Sequence, residues 1–184
     1  MAIVFKNITR DQTDLENIKH LYQTAFPDDE RAPFGLLMKR AARRNVNFFS
    51  CRDGDKWVGL IYIVNYRDDS YVFYFAVDDE QRGKGYGTKI LKAAQKKYRG
   101  RRLFLAIEEV DRRYKNYEQR VKRRSFYENA GFSCTGQKIK EADVIYDVMS
   151  VGGRVDPKAY HRLMAGFAGL YLLLYTARMY DPQD

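Results

Sequence analysis

The chain has 184 residues, with 33 Lys and Arg against 24 Asp and Glu and a formal net charge of +9. That length admits one domain with a sizeable core, and 45% hydrophobic and 15% aromatic residues exclude a disordered polyelectrolyte. The basic surplus suits nucleic acid, an anionic membrane surface or a polyanionic small molecule, and charge alone does not choose among them.

Ala2 to Ile8 reads as an edge strand. Thr13 and Glu16 stand as a capping box before a helix whose apolar face carries Leu15, Ile18, Leu21, Tyr22 and Ala25, ending at Phe26-Pro27. A charged loop, Asp28 to Pro33, leads to a second helix with Leu36, Leu37 and Ala41 on one side. Its other side carries Lys39, Arg40, Arg43 and Arg44, expected as a solvated basic face.

Val46 to Cys51 and Trp57 to Tyr66 read as strands around the hairpin turn Asp53-Gly54-Asp55, and a polar turn at Arg67 to Ser70 precedes a third strand from Tyr71 to Val77. Arg82-Gly83-Lys84-Gly85-Tyr86-Gly87 then leads directly into a helix with Ile90, Leu91, Ala94 and Tyr98 at helical spacing. Glycines at alternate positions let the backbone come close to something bulky, and amides opening a helix suit a phosphate. The dinucleotide fingerprint fails, since Thr88 or Ile90 falls where its third glycine belongs, and the P-loop pattern fails as well.

Leu103 to Ile107 makes another strand, and the intervening helix implies a parallel crossover. A densely basic stretch from Asp111 to Arg124 enters a helix that Asn116, with Gln119, is placed to cap. That helix ends at Gly131 in Phe126-Tyr127-Glu128-Asn129-Ala130-Gly131-Phe132, and Cys134 to Lys140 and Val144 to Val151 pair as the final strands. In the tail, Leu163, Met164, Phe167, Leu170, Tyr171 and Leu174 form a wide helical stripe, with Gly166 and Gly169 permitting close approach. The stripe is shorter than the ~20 residues of a membrane span and is expected to pack on the domain or on a second copy of the chain. Cys51 and Cys134 read as reduced thiols of a cytoplasmic protein, which leaves the triplet Asn7-Ile8-Thr9 idle as a glycosylation site.

The arrangement R-x-x-G-x-G at Arg82, Gly85 and Gly87, between a strand and a helix, closely resembles the acetyl-CoA-binding motif of the GNAT superfamily of N-acetyltransferases. FYENAGF resembles the segment that closes the GNAT core, so the likeness spans Tyr71 to Phe132. It implies an α/β fold: a mixed, mostly antiparallel twisted sheet of about seven strands flanked by helices. The fourth and fifth strands would be parallel and splayed to admit the pantetheine arm. A single acetyltransferase domain would occupy residues 1–152, and residues 153–184 would form a helical extension packed on it or on a dimer partner.

The resemblance further implies acetyl-CoA as co-substrate and no metal. Arg82, Gly83, Lys84, Gly85, Tyr86, Gly87 and Thr88 would hold its diphosphate, and the backbone of Phe75, Ala76 and Val77 would pair with the pantetheine. Tyr127 matches the tyrosine that protonates the departing thiolate, and an ordinary phenol pKa of ~10 keeps it protonated at neutral pH. Several relatives carry a glutamate on the fourth strand, where this chain has Phe73, Tyr74 and Phe75. Glu108 is the first candidate base, Glu30 the second, and His20 and His161 follow, with ordered water as the other option. Where many relatives place a CoA-contacting asparagine this chain has Arg120, with Asn116 the nearest asparagine; an arginine there could reach a CoA phosphate.

The leading expectation is an N-acetyltransferase acting on the primary amine of a small molecule or protein by direct attack in a ternary complex. Tyr22, Tyr62 and Tyr74 are candidate walls for the acceptor, against the plainer duty of core packing. The alternatives are a CoA-binding regulator without turnover and, less favoured, a basic nucleic-acid module built on Arg112 to Arg124.

Overall fold

The structure is a computed structural model that describes residues 2–28, 30–141, 144–168 and 177–182. Its elements in chain order are β1 (Ile3–Asn7), α1 (Leu15–Ala25), α2 (Phe34–Ala41), β2 (Val46–Asp53), β3 (Lys56–Tyr66), β4 (Asp69–Val77), a 3-10 turn (Asp79–Gln81), α3 (Tyr86–Lys97), β5 (Arg102–Glu108), α4 (Tyr117–Asn129), β6 (Ser133–Glu141), β7 (Val144–Val151), α5 (Pro157–Ala168) and β8 (Arg178–Tyr180). The strands join one eight-stranded sheet in the order β1-β2-β3-β4-β5-β7-β6-β8. The expected sequence of strands and helices is present through β7, and β8 adds a strand in the tail.

The chain divides into two compact units, Met1–Val64 with Val72–Ala94, and Asn65–Tyr71 with Gln95–Asp184. In the first, β1 pairs antiparallel with β2 and β2 with β3, with an irregularity at Cys51/Arg52. The apolar run in β3 places Val58, Leu60, Ile61, Tyr62, Ile63 and Val64 out of water, so both faces of this strand are covered. Ile18, Leu21 and Tyr22 of α1 and Leu37 of α2 complete the core.

Two expectations for this unit are corrected. Thr13 does not cap α1: its hydroxyl and amide both donate to Asp11, at 2.6 and 3.1 Å, and the N-cap position is Asp14. Asp14 is committed elsewhere, accepting from Ser50 and from Arg52 at 2.5 Å. The side of α2 read as basic and solvated is only partly so, because Arg40 is buried. The spacing of charges along a helix does not register which of its side chains the rest of the fold covers.

In the second unit the start of β4 pairs parallel with β5 through Asp69↔Arg102, Ser70↔Leu103 and Tyr71↔Phe104. Asp69, 1% exposed, accepts from Arg102 Nε at 2.6 Å and Nη2 at 3.2 Å, so an ion pair anchors the open end of the register. At its other end Tyr71 and Phe104 stack at 4.8 Å, and Tyr160 of α5 packs edge-on to both. β5 runs antiparallel to β7, β7 to β6, and β6 to β8.

The tail is thus not wholly helical, since Arg178–Tyr180 extends the sheet along Lys138–Lys140. Leu163, Met164 and Phe167 of the apolar stripe are buried within this unit, as is Tyr160 before them. Gln137, 2% exposed, fixes the entry to α5 by bonding the Val155 carbonyl at 2.7 Å and its amide at 2.9 Å. Gly169, Leu170, Tyr171 and Leu174 lie outside the described residues.

Candidate functional site

The residues singled out from the sequence fall into two groups, one in each unit. In the first unit the chain leaves β4 at Val77, makes the 3-10 turn and enters α3 at Tyr86. Gly83 and Gly85 take φ +74° and +76°, the left-handed region where a side chain is strained, and space around both is open. Gly87 differs: it is buried in the first turn of α3. The earliest α3 amide to find a carbonyl behind it is that of Lys89, which donates to Gly85 at 3.2 Å.

Among the described residues, the amides of Gly83, Lys84, Gly85, Tyr86, Gly87 and Thr88 have no recorded backbone or side-chain acceptor. A run of open amides at the positive end of a helix is a cradle for an anion. Its side chains stand outside it. Arg82 pairs with Asp79 at 2.6 Å with both well exposed, and Lys84 reaches back to the Glu80 carbonyl at 2.6 Å. Lys89 lies 4.8 Å from the centre of the Tyr86 ring. Desolvation, and then the Asp53 carboxylate that its hydroxyl meets, raise the Tyr86 phenol.

Phe75, Ala76 and Val77 close β4, and the residue that lets this segment sit so near β3 was not foreseen from the sequence. A Cβ on Gly59 would lie 2.3 Å from the Ala76 carbonyl oxygen. An interior glycine in an otherwise apolar strand was the available signal for such an approach. Tyr22, Tyr62 and Tyr74 pack in the core as the plainer reading had it, with Tyr22 and Tyr74 edge to face at 5.0 Å. Their hydroxyls tie down the connection around α2: Tyr22 donates to the Ala32 carbonyl at 2.8 Å, Tyr74 to that of Glu30 at 3.0 Å and Tyr62 to that of Leu37 at 3.2 Å. Glu30 and His20 are exposed in this unit, as is His161 in the other.

The second unit brings Glu108, Asn116, Arg120 and Tyr127 together. Glu108, at the end of β5, meets Arg120 Nη2 with one oxygen at 2.9 Å and Arg123 Nη1 with the other at 2.8 Å. Both oxygens of this carboxylate are therefore engaged by guanidinium groups of α4. Arg120 is buried, and all three of its nitrogens are engaged: Nε with Asn116 Oδ1 at 2.8 Å, Nη1 with the Glu109 carbonyl at 2.8 Å and Nη2 with Glu108. Its guanidinium also covers the Tyr114 ring at 3.7 Å. Asn116 stands at the N-cap position of α4, but its side chain holds Arg120 in place of capping the helix. These contacts fix the β5–α4 connection and leave neither residue aimed at an outside phosphate.

Tyr127 is half-buried on α4, between Phe126 at 5.0 Å and Phe132 at 6.1 Å. Among the described residues its hydroxyl has no recorded hydrogen-bond partner. Desolvation pushes the phenol up to about 12, against a smaller opposing pull from Arg123. It is a protonated donor at neutral pH.

The family model for the acetyltransferase (GNAT) domain matches residues 44–134, from the start of β2 to the start of β6. Residues 44–134 are a GNAT acetyltransferase domain. Members of this family are acyltransferases that use acetyl-CoA, and the matched span contains both the glycine-rich turn and Tyr127.

Solved structures share the fold. A protein described as a GNAT-family acetyltransferase from Bacteroides thetaiotaomicron is 22% identical, with a TM-score of 0.69 over 92% of this chain and 97% of its own. An aminoglycoside 6′-N-acetyltransferase complexed with coenzyme A is 16% identical, with a TM-score of 0.63 over 85% of this chain and 100% of its own. A spermidine N-acetyltransferase chimera derived in part from Vibrio cholerae is also 16% identical, with a TM-score of 0.63 over 82% and 95%. No curated protein matches the chain in sequence. Among the described residues no helix is long and apolar enough to cross a membrane, and no group of three metal-ligating side chains forms.

Proposed function

We propose that this GNAT protein transfers the acetyl group of acetyl-CoA to the primary amine of a small molecule or a protein, by direct attack within a ternary complex. The observation that carries the reading is the run of open amides from Gly83 to Thr88 at the head of α3, which fits the diphosphate of that co-substrate. Arg82 and Lys84 add positive charge at the rim, and because both are exposed they can exchange their present partners for phosphate oxygens. The backbone of Phe75, Ala76 and Val77 serves the pantetheine amides in strand fashion and supplies donors for the oxyanion.

Tyr127 gives its proton to the departing sulfur. Ordered water, in place of the ion-paired Glu108, relays the proton that the attacking amine sheds. Asn116 and Arg120 support the β5–α4 connection and do not touch the co-substrate. The activities for which these structural neighbours are named make aminoglycosides and polyamines the first acceptors to try. The test is thiol release from acetyl-CoA across polyamines, aminoglycosides, amino acids and peptides. Release that depends on one class of acceptor is the expected result. Acetyl-CoA binding with no release across the panel would instead mark a CoA-binding regulator.

A further inference from the structure

Both carboxylate oxygens of Glu108 are held by arginines of α4. It sits at the end of β5, and Arg120 beside it is locked by Asn116, the Glu109 carbonyl and the Tyr114 ring. The Glu108 carboxylate is therefore held from one side and offers its second oxygen to Arg123 at 2.8 Å. Arg123 and Tyr127 are four residues apart on α4, a spacing that puts their side chains on the same face.

We infer that Arg123, clamped by Glu108, is a positioning residue for Tyr127, its guanidinium steadying the negative charge that the hydroxyl acquires as it gives up its proton. This rests on the reading of Tyr127 as the proton donor. The step balances without a further reagent. The amine nitrogen bonds to the acetyl carbon, the carbon–sulfur bond breaks, and the Tyr127 proton passes to sulfur. The phenolate then recovers, through solvent, the proton that the amine releases.

Of the other charges near Tyr127, Arg124 and Glu128 on α4 neutralise each other at 3.0 Å, and Arg120 is buried against Glu108. Arg123 is also paired, with Glu108, but it is 45% exposed and stands one helical turn before Tyr127 on α4. In keeping with this, Arg123 pulls the Tyr127 hydroxyl down against the desolvation that raises it.

The test places 3-fluorotyrosine at position 127 of the full chain and follows its ionisation by fluorine NMR, with no acceptor needed. Arg123→Gln raises the midpoint by roughly half a unit, the scale of a charge interaction at a wetted surface, and Arg123→Lys restores most of it. In a Glu108→Gln background, the same Arg123→Gln change moves the midpoint by less, because the clamp is already gone. An unmoved midpoint in Arg123→Gln, or an equal shift in both backgrounds, would overturn the inference and leave Tyr127 standing as the acid. If Tyr127→Phe leaves turnover intact, the acid reading itself fails, whatever the fluorine signal shows.

Discussion

The Phe132 amide donates to the Tyr127 carbonyl at 3.0 Å, six residues closing on one another across the end of α4. Gly131, at φ +98°, makes the reversal, and its own amide donates to the Glu128 carbonyl at 2.9 Å. These two bonds satisfy carbonyls that a helix end leaves open, and the Phe132 ring then packs on the Tyr127 ring. The Gly-Phe at the end of FYENAGF thus sets the angle of the tyrosine that precedes it. Gly131→Ala should cost about 1 kcal/mol by forcing a side chain into the left-handed region. A urea titration measures this, and a loss near zero would remove the glycine from the account.

Tyr127→Phe keeps the ring between Phe126 and Phe132 and removes only the hydroxyl. Turnover with a responsive acceptor should fall by roughly a hundredfold, the scale of a lost general acid, while acetyl-CoA affinity holds. Steady-state kinetics beside calorimetric binding separates the two. Equal losses in both would make Tyr127 a binding residue.

Gly59 carries a prediction that sequence spacing did not raise. A methyl group there meets the Ala76 carbonyl oxygen at 2.3 Å, a contact that the β4 backbone can relieve only by moving. Gly59→Ala should destabilise the protein by roughly 1–3 kcal/mol and weaken acetyl-CoA binding through the displaced Ala76–Val77 segment. Denaturant midpoints and calorimetry check this, and a variant with native values for both would contradict it.

Much of this molecule was legible because its chemistry is local. The glycine turn, the strand before it and the helix after it are contiguous, so their order and bounds could be read from the residues, and the resemblance to the GNAT motif pointed to Arg82 to Thr88. Residues whose partners come from distant sequence were misjudged. Arg40 is buried and Glu108 meets arginines twelve and fifteen residues onward, whereas Thr13 is taken up locally, by Asp11 two residues before it. β8 was missed because three residues, Arg178–Tyr180, carry no period of their own and are strand only through β6.

Alkaline pH should unfold the protein through its tyrosines. Desolvation raises the phenols of Tyr22, Tyr62, Tyr98 and Tyr160 well beyond the ordinary range and that of Tyr127 to about 12. Each native phenol keeps its proton in a window where the unfolded chain, titrating near ~10, has lost it. Their contribution is therefore complete below about pH 10 and is lost as pH rises through the native values. Denaturant midpoints should be level from neutral to about pH 9 and fall steeply above pH 10. A flat profile to pH 11 would contradict the burial of these groups.

The central claim is that main-chain amides at the head of α3 grip the diphosphate of acetyl-CoA. The most direct measurement is the proton–nitrogen spectrum of the labelled protein as acetyl-CoA is added. The amide signals of Gly83 to Thr88 should shift downfield together as they acquire acceptors, and in Gly85→Glu, whose side chain enters the open space of the cradle, they should stay where they are. If acetyl-CoA binds while those signals in the unaltered protein do not move, the diphosphate lies elsewhere and the account is wrong.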